Sequence, residues 1–167
     1  AADVGPRQAL FLDCDGVINV NYGYVHTPEN TDLVPGIFAR VRAARAAFDG
    51  AWGRLAPVEK GRRLMALSRA ILDHADELAW IEARDCGKPM KQARADVAAC
   101  ARYFEFYGGA SDKLSGDTIP YPAGYTVLTW REPHGVTGHI IPWNYPLQIF
   151  GRSVGGALAA GNACVVK

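Results

Sequence analysis

Apolar positions are spaced for helices through the middle of the chain and for strand, helix and strand at its end. The last stretch, Gly135 to Lys167, reads GVTGHIIPWNYPLQIFGRSVGGALAAGNACVVK. Val136 to Ile141 is apolar and β-branched and predicts a strand, after which Pro142 and Pro146 bracket a turn carrying Trp143 and Asn144. Leu147 to Ala160 is free of proline and predicts a helix, ended by Gly161 and Asn162. Ala163 to Val166 is the short apolar run of a buried parallel strand, so the whole stretch predicts one βαβ unit.

Upstream, Leu64, Leu67, Ile71 and Leu78 fall at helical steps and predict one buried face, with Pro57 at a helix start. Val97, Ala101, Phe104 and Tyr107 share one side of a second long helix, with Gly108-Gly109 at its stop. Asp112 to Gly124 is polar and proline-containing, a surface loop, and Tyr125 to Trp130 alternates as a strand. Near the start, Gln8 to Leu12 reads as a buried strand running into Asp13-Cys14-Asp15-Gly16, and Ile37 to Ala47 as one amphipathic segment.

Composition fits an ordinary globular chain with a sizeable core: 167 residues, 49% hydrophobic and 21% charged. The net charge of +1 offers no footprint for nucleic acid or an acidic membrane surface, so neither partner is expected. Pro146 to Val166 is interrupted by Arg152 and Asn162 and rich in glycine, which argues against a membrane span, and the start lacks the apolar core of a signal peptide. Cys14, Cys86, Cys100 and Cys164 form no CxxC pair and have no histidine at ligand spacing, so the reading is reduced thiols in a cytoplasm. The usual GxGxxG dinucleotide fingerprint is absent.

The run IIPWNYPLQIFGRSVGGALAAGNACVVK closely resembles the first strand, helix and second strand of the cofactor domain in NAD(P)-dependent aldehyde dehydrogenases. The resemblance extends back, through Gly87-Lys88-Pro89 and Pro57-Val58-Glu59-Lys60-Gly61-Arg62, to about Arg42. It implies that Asn144 donates into an oxyanion hole, a task suited to a neutral donor on a proline-bounded turn. It also implies that Ile140, Ile141, Pro142, Trp143 and Lys167 surround NAD or NADP, Lys167 at the adenosine ribose, and that a small-molecule aldehyde is the substrate. The resemblance further implies that the nucleophilic cysteine and general-base glutamate lie later than Lys167, and none of the four cysteines matches the nucleophile's motif.

Asp13-Cys14-Asp15-Gly16-Val17-Ile18-Asn19, followed by Gly23-Tyr24-Val25, resembles the first motif of haloacid-dehalogenase-type phosphatases. That resemblance implies Asp13 as nucleophile, Asp15 as general acid and base, and Mg²⁺ held by both, since paired carboxylates collect a hard cation. Its later motifs have no counterpart downstream, so weak Mg²⁺ binding is expected.

Together these readings predict an α/β chain. Residues 1–41 are a phosphatase-like first-motif segment with a leading strand. Residues 42–167 carry part of an aldehyde dehydrogenase fold, its early helices plus the first βαβ of a Rossmann-like cofactor domain. The pair implies a chimera that is inactive toward aldehydes alone. The rival functions are a Mg²⁺-dependent phosphatase and a non-catalytic associating chain. Self-association through an apolar sheet edge is expected.

Overall fold

The structure, a computed structural model, describes residues 36–167. The leading strand and the Asp13–Asp15 motif lie outside the described residues. Six helices come from the helical periodicity: α1 Ile37–Asp49, α2 Ala51–Arg54, α3 Pro57–Asp73, α4 Ala75–Cys86, α5 Met90–Ala110 and α6 Pro146–Ala159. Four short strands complete the described chain: β1 Thr118–Ile119, β2 Val127–Leu128, β3 Val136–His139 and β4 Ala163–Val166.

The helix ends follow local chemistry. Pro57 opens α3 with its fixed φ, and the Glu59 carboxylate accepts the Ala56 amide at 3.3 Å. Asp76 and Glu77 sit in the first turn of α4 and Arg84 in its last, both favourable to the helix dipole. Gly87, at φ 68°, ends that helix in the left-handed conformation that glycine adopts without penalty.

The core is the apolar stripe of α5 covered by α3, α4 and α6: Val97, Cys100, Ala101 and Phe104 against Leu64, Ile71, Ala79 and Ala159. Two details of the predicted stripe change. The helix ends at Asp73, so Leu78 belongs to a separate helix, and Leu67 is exposed. Ser68 takes the inward position instead, because its hydroxyl donates to the Ala101 carbonyl at 2.7 Å and so is buried without losing a hydrogen bond.

Gly108-Gly109 is not a stop, since α5 runs on to Ala110. Gly108 is instead where α3 and α5 cross. A Cβ on Gly61 would lie 2.4 Å from the Gly108 carbonyl oxygen, an overlap that only a backbone shift relieves. Gly61→Ala is therefore expected to lower stability by about 1–3 kcal/mol despite its better helix propensity. Gly109→Ala meets only the flexible end of Met65 at 3.6 Å, and is expected to be neutral or stabilising by up to about 1 kcal/mol. Chemical denaturation of the two variants checks the contrast.

The predicted βαβ unit is present. β3 and β4 pair in parallel, Val136 opposite Ala163 through His139 opposite Val166, with α6 as the crossover. β3 is shorter than predicted, but the ladder continues past it through Lys167 N–H to His139 O at 3.0 Å and Ile141 N–H to Lys167 O at 2.8 Å. Asn162 secures the return from α6. Its Oδ1 accepts the Gly135 amide at 3.0 Å, its Nδ2 donates to Ala157 O at 3.0 Å, and its carbonyl accepts the Trp52 indole at 2.8 Å. α1 packs against β3 and β4 and continues unbroken through residues 41 and 42.

β1 and β2 form an antiparallel hairpin, with Thr118 opposite Leu128 and Ile119 opposite Val127. The predicted strand over 125–130 thus narrows to two residues, and its partner arises inside the predicted loop. Thr129 anchors the pairing, its hydroxyl accepting the Asp117 amide at 2.6 Å.

Candidate active-site turn

The residues singled out after β3 gather at one place. Ile141 is hydrogen-bonded to Lys167 across the carboxyl ends of β3 and β4, the end of a parallel sheet where ligands bind in open α/β folds. The chain then turns through Pro142, Trp143 and Asn144 before Pro146 starts α6. Ile140 is 47% exposed and Trp143 80% exposed, so both present apolar surface outward. Asn144 is exposed, and its carboxamide makes no hydrogen bond to another described residue. A neutral N–H donor thus stands at the entrance to a helix N-terminus, where partial positive charge already favours an oxyanion.

Beneath the turn lies a group that periodicity alone did not reveal. The Lys88 ammonium, nine-tenths buried, donates to Glu82 Oε1 at 2.6 Å and Asp96 Oδ2 at 2.7 Å. Gln92 donates to the other Asp96 oxygen at 2.8 Å, while Glu82 Oε2 is buried with no partner among the described residues. Burial opposes the Lys88 charge, but the hydrogen bonds it donates to Asp96 and Glu82 outweigh it and hold the ammonium above its ordinary range. Burial pushes Glu82 up, against the pull of Lys88. The available signal was Asp96 itself: an acid on the buried stripe Ala93, Asp96, Val97, Cys100 must have a partner.

No described thiol is poised as a nucleophile. Burial lifts Cys100 to about 11, and burial also raises Cys164, which sits 3.5 Å from the Thr137 hydroxyl. Desolvation likewise raises Cys86, despite Lys88 nearby. The three described cysteines are free. His139, given no role from sequence, lies 2.7 Å from Ser153 Oγ and 2.9 Å from Thr137 Oγ1, and burial pushes it down toward the neutral imidazole. Among the described residues no three His, Cys, Asp or Glu side chains gather to hold a metal ion, and Asp13 and Asp15 lie outside them. No described helix is long and apolar enough to cross a membrane.

Comparison with known proteins identifies the setting of this turn. The aldehyde dehydrogenase family model matches residues 36–167, and the chain belongs to that family. It is 46% identical over 129 residues to aldehyde dehydrogenase family 2 member B4, mitochondrial, of Arabidopsis thaliana, covering 76% of this chain and 24% of that protein. It is 44% identical over 140 residues to hydroxyisobutyraldehyde dehydrogenase of Mycolicibacterium austroafricanum, covering 82% and 28%. Among solved structures, a Burkholderia cenocepacia chain assigned as an aldehyde dehydrogenase superposes with a TM-score of 0.78 at 71% identity, covering 79% of this chain and 28% of that one. The NAD⁺ complex of a Bacillus cereus aldehyde dehydrogenase gives 0.76 at 40% identity, covering 78% and 27%. The chain spans about a quarter of the length of the curated relatives it matches. The matched region begins at residue 36, so it includes all of α1, where sequence pattern placed the change of register near Arg42.

Proposed function

We propose that residues 36–167 supply the oxyanion-binding turn and the first cofactor strands of an NAD(P)-dependent aldehyde dehydrogenase. The observation that carries this reading is the meeting of the Asn144 turn with Lys167 at the carboxyl ends of β3 and β4. Asn144 donates its carboxamide N–H to the aldehyde oxygen as a thiolate attacks the carbonyl carbon. Being neutral, it stabilises the developing charge without itself exchanging a proton. The residues present suit a dinucleotide: Ile140 and Trp143 offer exposed apolar surface, and Lys167 brings a cation beside the ladder end. When bound, NAD(P)⁺ supplies the hydride acceptor. Burial raises each described thiol, so none of the three is favoured as the attacking thiolate.

The test is NADH production. The 167-residue polypeptide alone is expected to give none with an aldehyde and NAD⁺ or NADP⁺. Residues 36–167 grafted in place of the matching segment of a full-length relative are expected to support it. Turnover by the polypeptide alone, or a folded but inactive graft, would count against the reading.

The partner proposal is self-association through the β1–β2 hairpin. Ile119, Tyr121, Tyr125, Leu128 and Trp130 are all exposed there, more apolar surface than a solitary hairpin keeps in water without a partner. Light scattering is expected to show species larger than a monomer, returned to monomer by Leu128→Asp with Trp130→Asp. A monodisperse unmodified monomer would contradict this. The Mg²⁺-dependent phosphatase reading of Asp13 and Asp15, and with it a chimeric origin, rests only on the sequence motif. The proposed setting is a reducing compartment such as the cytoplasm.

A further inference from the structure

We propose that Lys88 is a positioning residue for the Asn144 turn: together with its neighbour Cys86 it clamps the residues on either side of Asn144 to the junction of α4 and α5. The inference rests on the reading of Asn144 as the oxyanion donor, but the placement it describes can be measured separately.

The junction Cys86-Gly87-Lys88-Pro89 is rigid for local reasons. Gly87 takes the left-handed turn and Pro89 fixes the entry to α5, so little freedom remains between the two helices. Lys88 reaches inward and is held by one carboxylate from each helix, Glu82 on α4 at 2.6 Å and Asp96 on α5 at 2.7 Å. Both acids are buried, so the ammonium cannot relax toward water without leaving two charges unpaired.

From this fixed point two contacts reach the turn. The Lys88 Nζ stands 4.6 Å from the centre of the Tyr145 ring, a cation–π contact made by an ammonium that has already lost its water. The Cys86 thiol donates to the Trp143 carbonyl at 3.0 Å. Residues 143 and 145 are thereby tied to one junction, and Asn144 between them, which has no bond of its own to a described residue, takes its position from them. An oxyanion donor needs such support, because its benefit depends on being in place before charge develops.

The experiment is ¹⁵N NMR on the 167-residue chain, following the Trp143 indole, the Asn144 carboxamide and the Tyr145 amide. The Trp52 indole, bonded to Asn162 O, serves as the reference for intact packing. The triple variant Glu82→Gln, Lys88→Met, Asp96→Asn removes the clamp without burying an unpaired charge. It is expected to shift the turn signals and lower their heteronuclear NOE, leaving the Trp52 signal in place. Tyr145→Leu removes the aromatic contact at a partly exposed position and keeps the cluster whole. It is expected to give the same local change, so the test stands even if the triple variant does not fold. Lys88→Arg, which retains the charge, is expected to preserve the signals better than the neutral variant. Heteronuclear NOE values at the Trp143 indole and the Asn144 carboxamide that stay as high in Tyr145→Leu as in the unmodified chain would overturn the proposal. These signals report where the turn is held and not what it does. Failure of Asn144 as a donor would appear instead in turnover, with the NMR result unaffected.

Discussion

Replacing Lys88 with methionine is expected to destabilise the fold by about 3–5 kcal/mol, the cost of leaving buried carboxylates without their cation. Methionine nearly matches the lysine stem in length, so the loss comes from charge and not from a cavity. Asp96 keeps its bond from Gln92, but Glu82 loses the single partner it had among the described residues. The deficit should depend on pH with a definite sign. In the variant Glu82, which burial already raises, also loses the opposing pull of Lys88, so it binds a proton more readily folded than unfolded and the variant's stability rises as pH falls toward the ordinary carboxylate range. The unmodified chain shows the opposite end of the same linkage. Lys88 is held above 10.5, so its contribution is complete below that pH and is lost as pH rises through the higher folded value. Urea denaturation at neutral and mildly acidic pH checks both statements. A methionine variant as stable as the parent would mean that the cluster contributes no net stability.

The βαβ unit was legible in the sequence because its determinants are local. β-branched residues, bracketing prolines and a closing Gly-Asn specify strand, turn and helix within a few positions of one another. The turn that carries Asn144 was legible for the same reason. What escaped was whatever depended on two helices meeting. Gly108-Gly109 has the composition of a helix stop, yet the deciding fact is the Gly61 backbone across the crossing. Leu67 is more apolar than Ser68, but the inward place went to the residue whose hydroxyl finds Ala101 O. Lys88, Glu82 and Asp96 are six to fourteen residues apart in the chain, and only the packing of α4 on α5 makes them one buried group. Sequence put the change of register near Arg42, whereas the family match reaches residue 36, because Ile37 to Ala47 forms one unbroken helix with no local mark at its middle.

In a complete enzyme carrying residues 36–167, Asn144→Ala is expected to lower kcat by about 10²- to 10³-fold, the usual contribution of one oxyanion donor. The reasoning is geometric. Asn144 ends a turn held at both neighbours, stands at the N-terminal end of α6, and has no competing hydrogen bond among the described residues. Alanine keeps the backbone and removes only the N–H that meets the developing charge, so the loss should fall on kcat, while the Kd for NAD⁺ stays within about twofold because Lys167 and Trp143 are untouched. Asn144→Asp is the sharper companion, since an anion at this position repels the oxyanion and should be at least as damaging as alanine. The direct measurement is single-turnover NADH formation by the grafted enzyme and its Asn144→Ala variant at saturating aldehyde and cofactor. A fall of about 10²-fold or more with unchanged NAD⁺ binding is the predicted result, and an equal rate in the two proteins would contradict the role given to this turn.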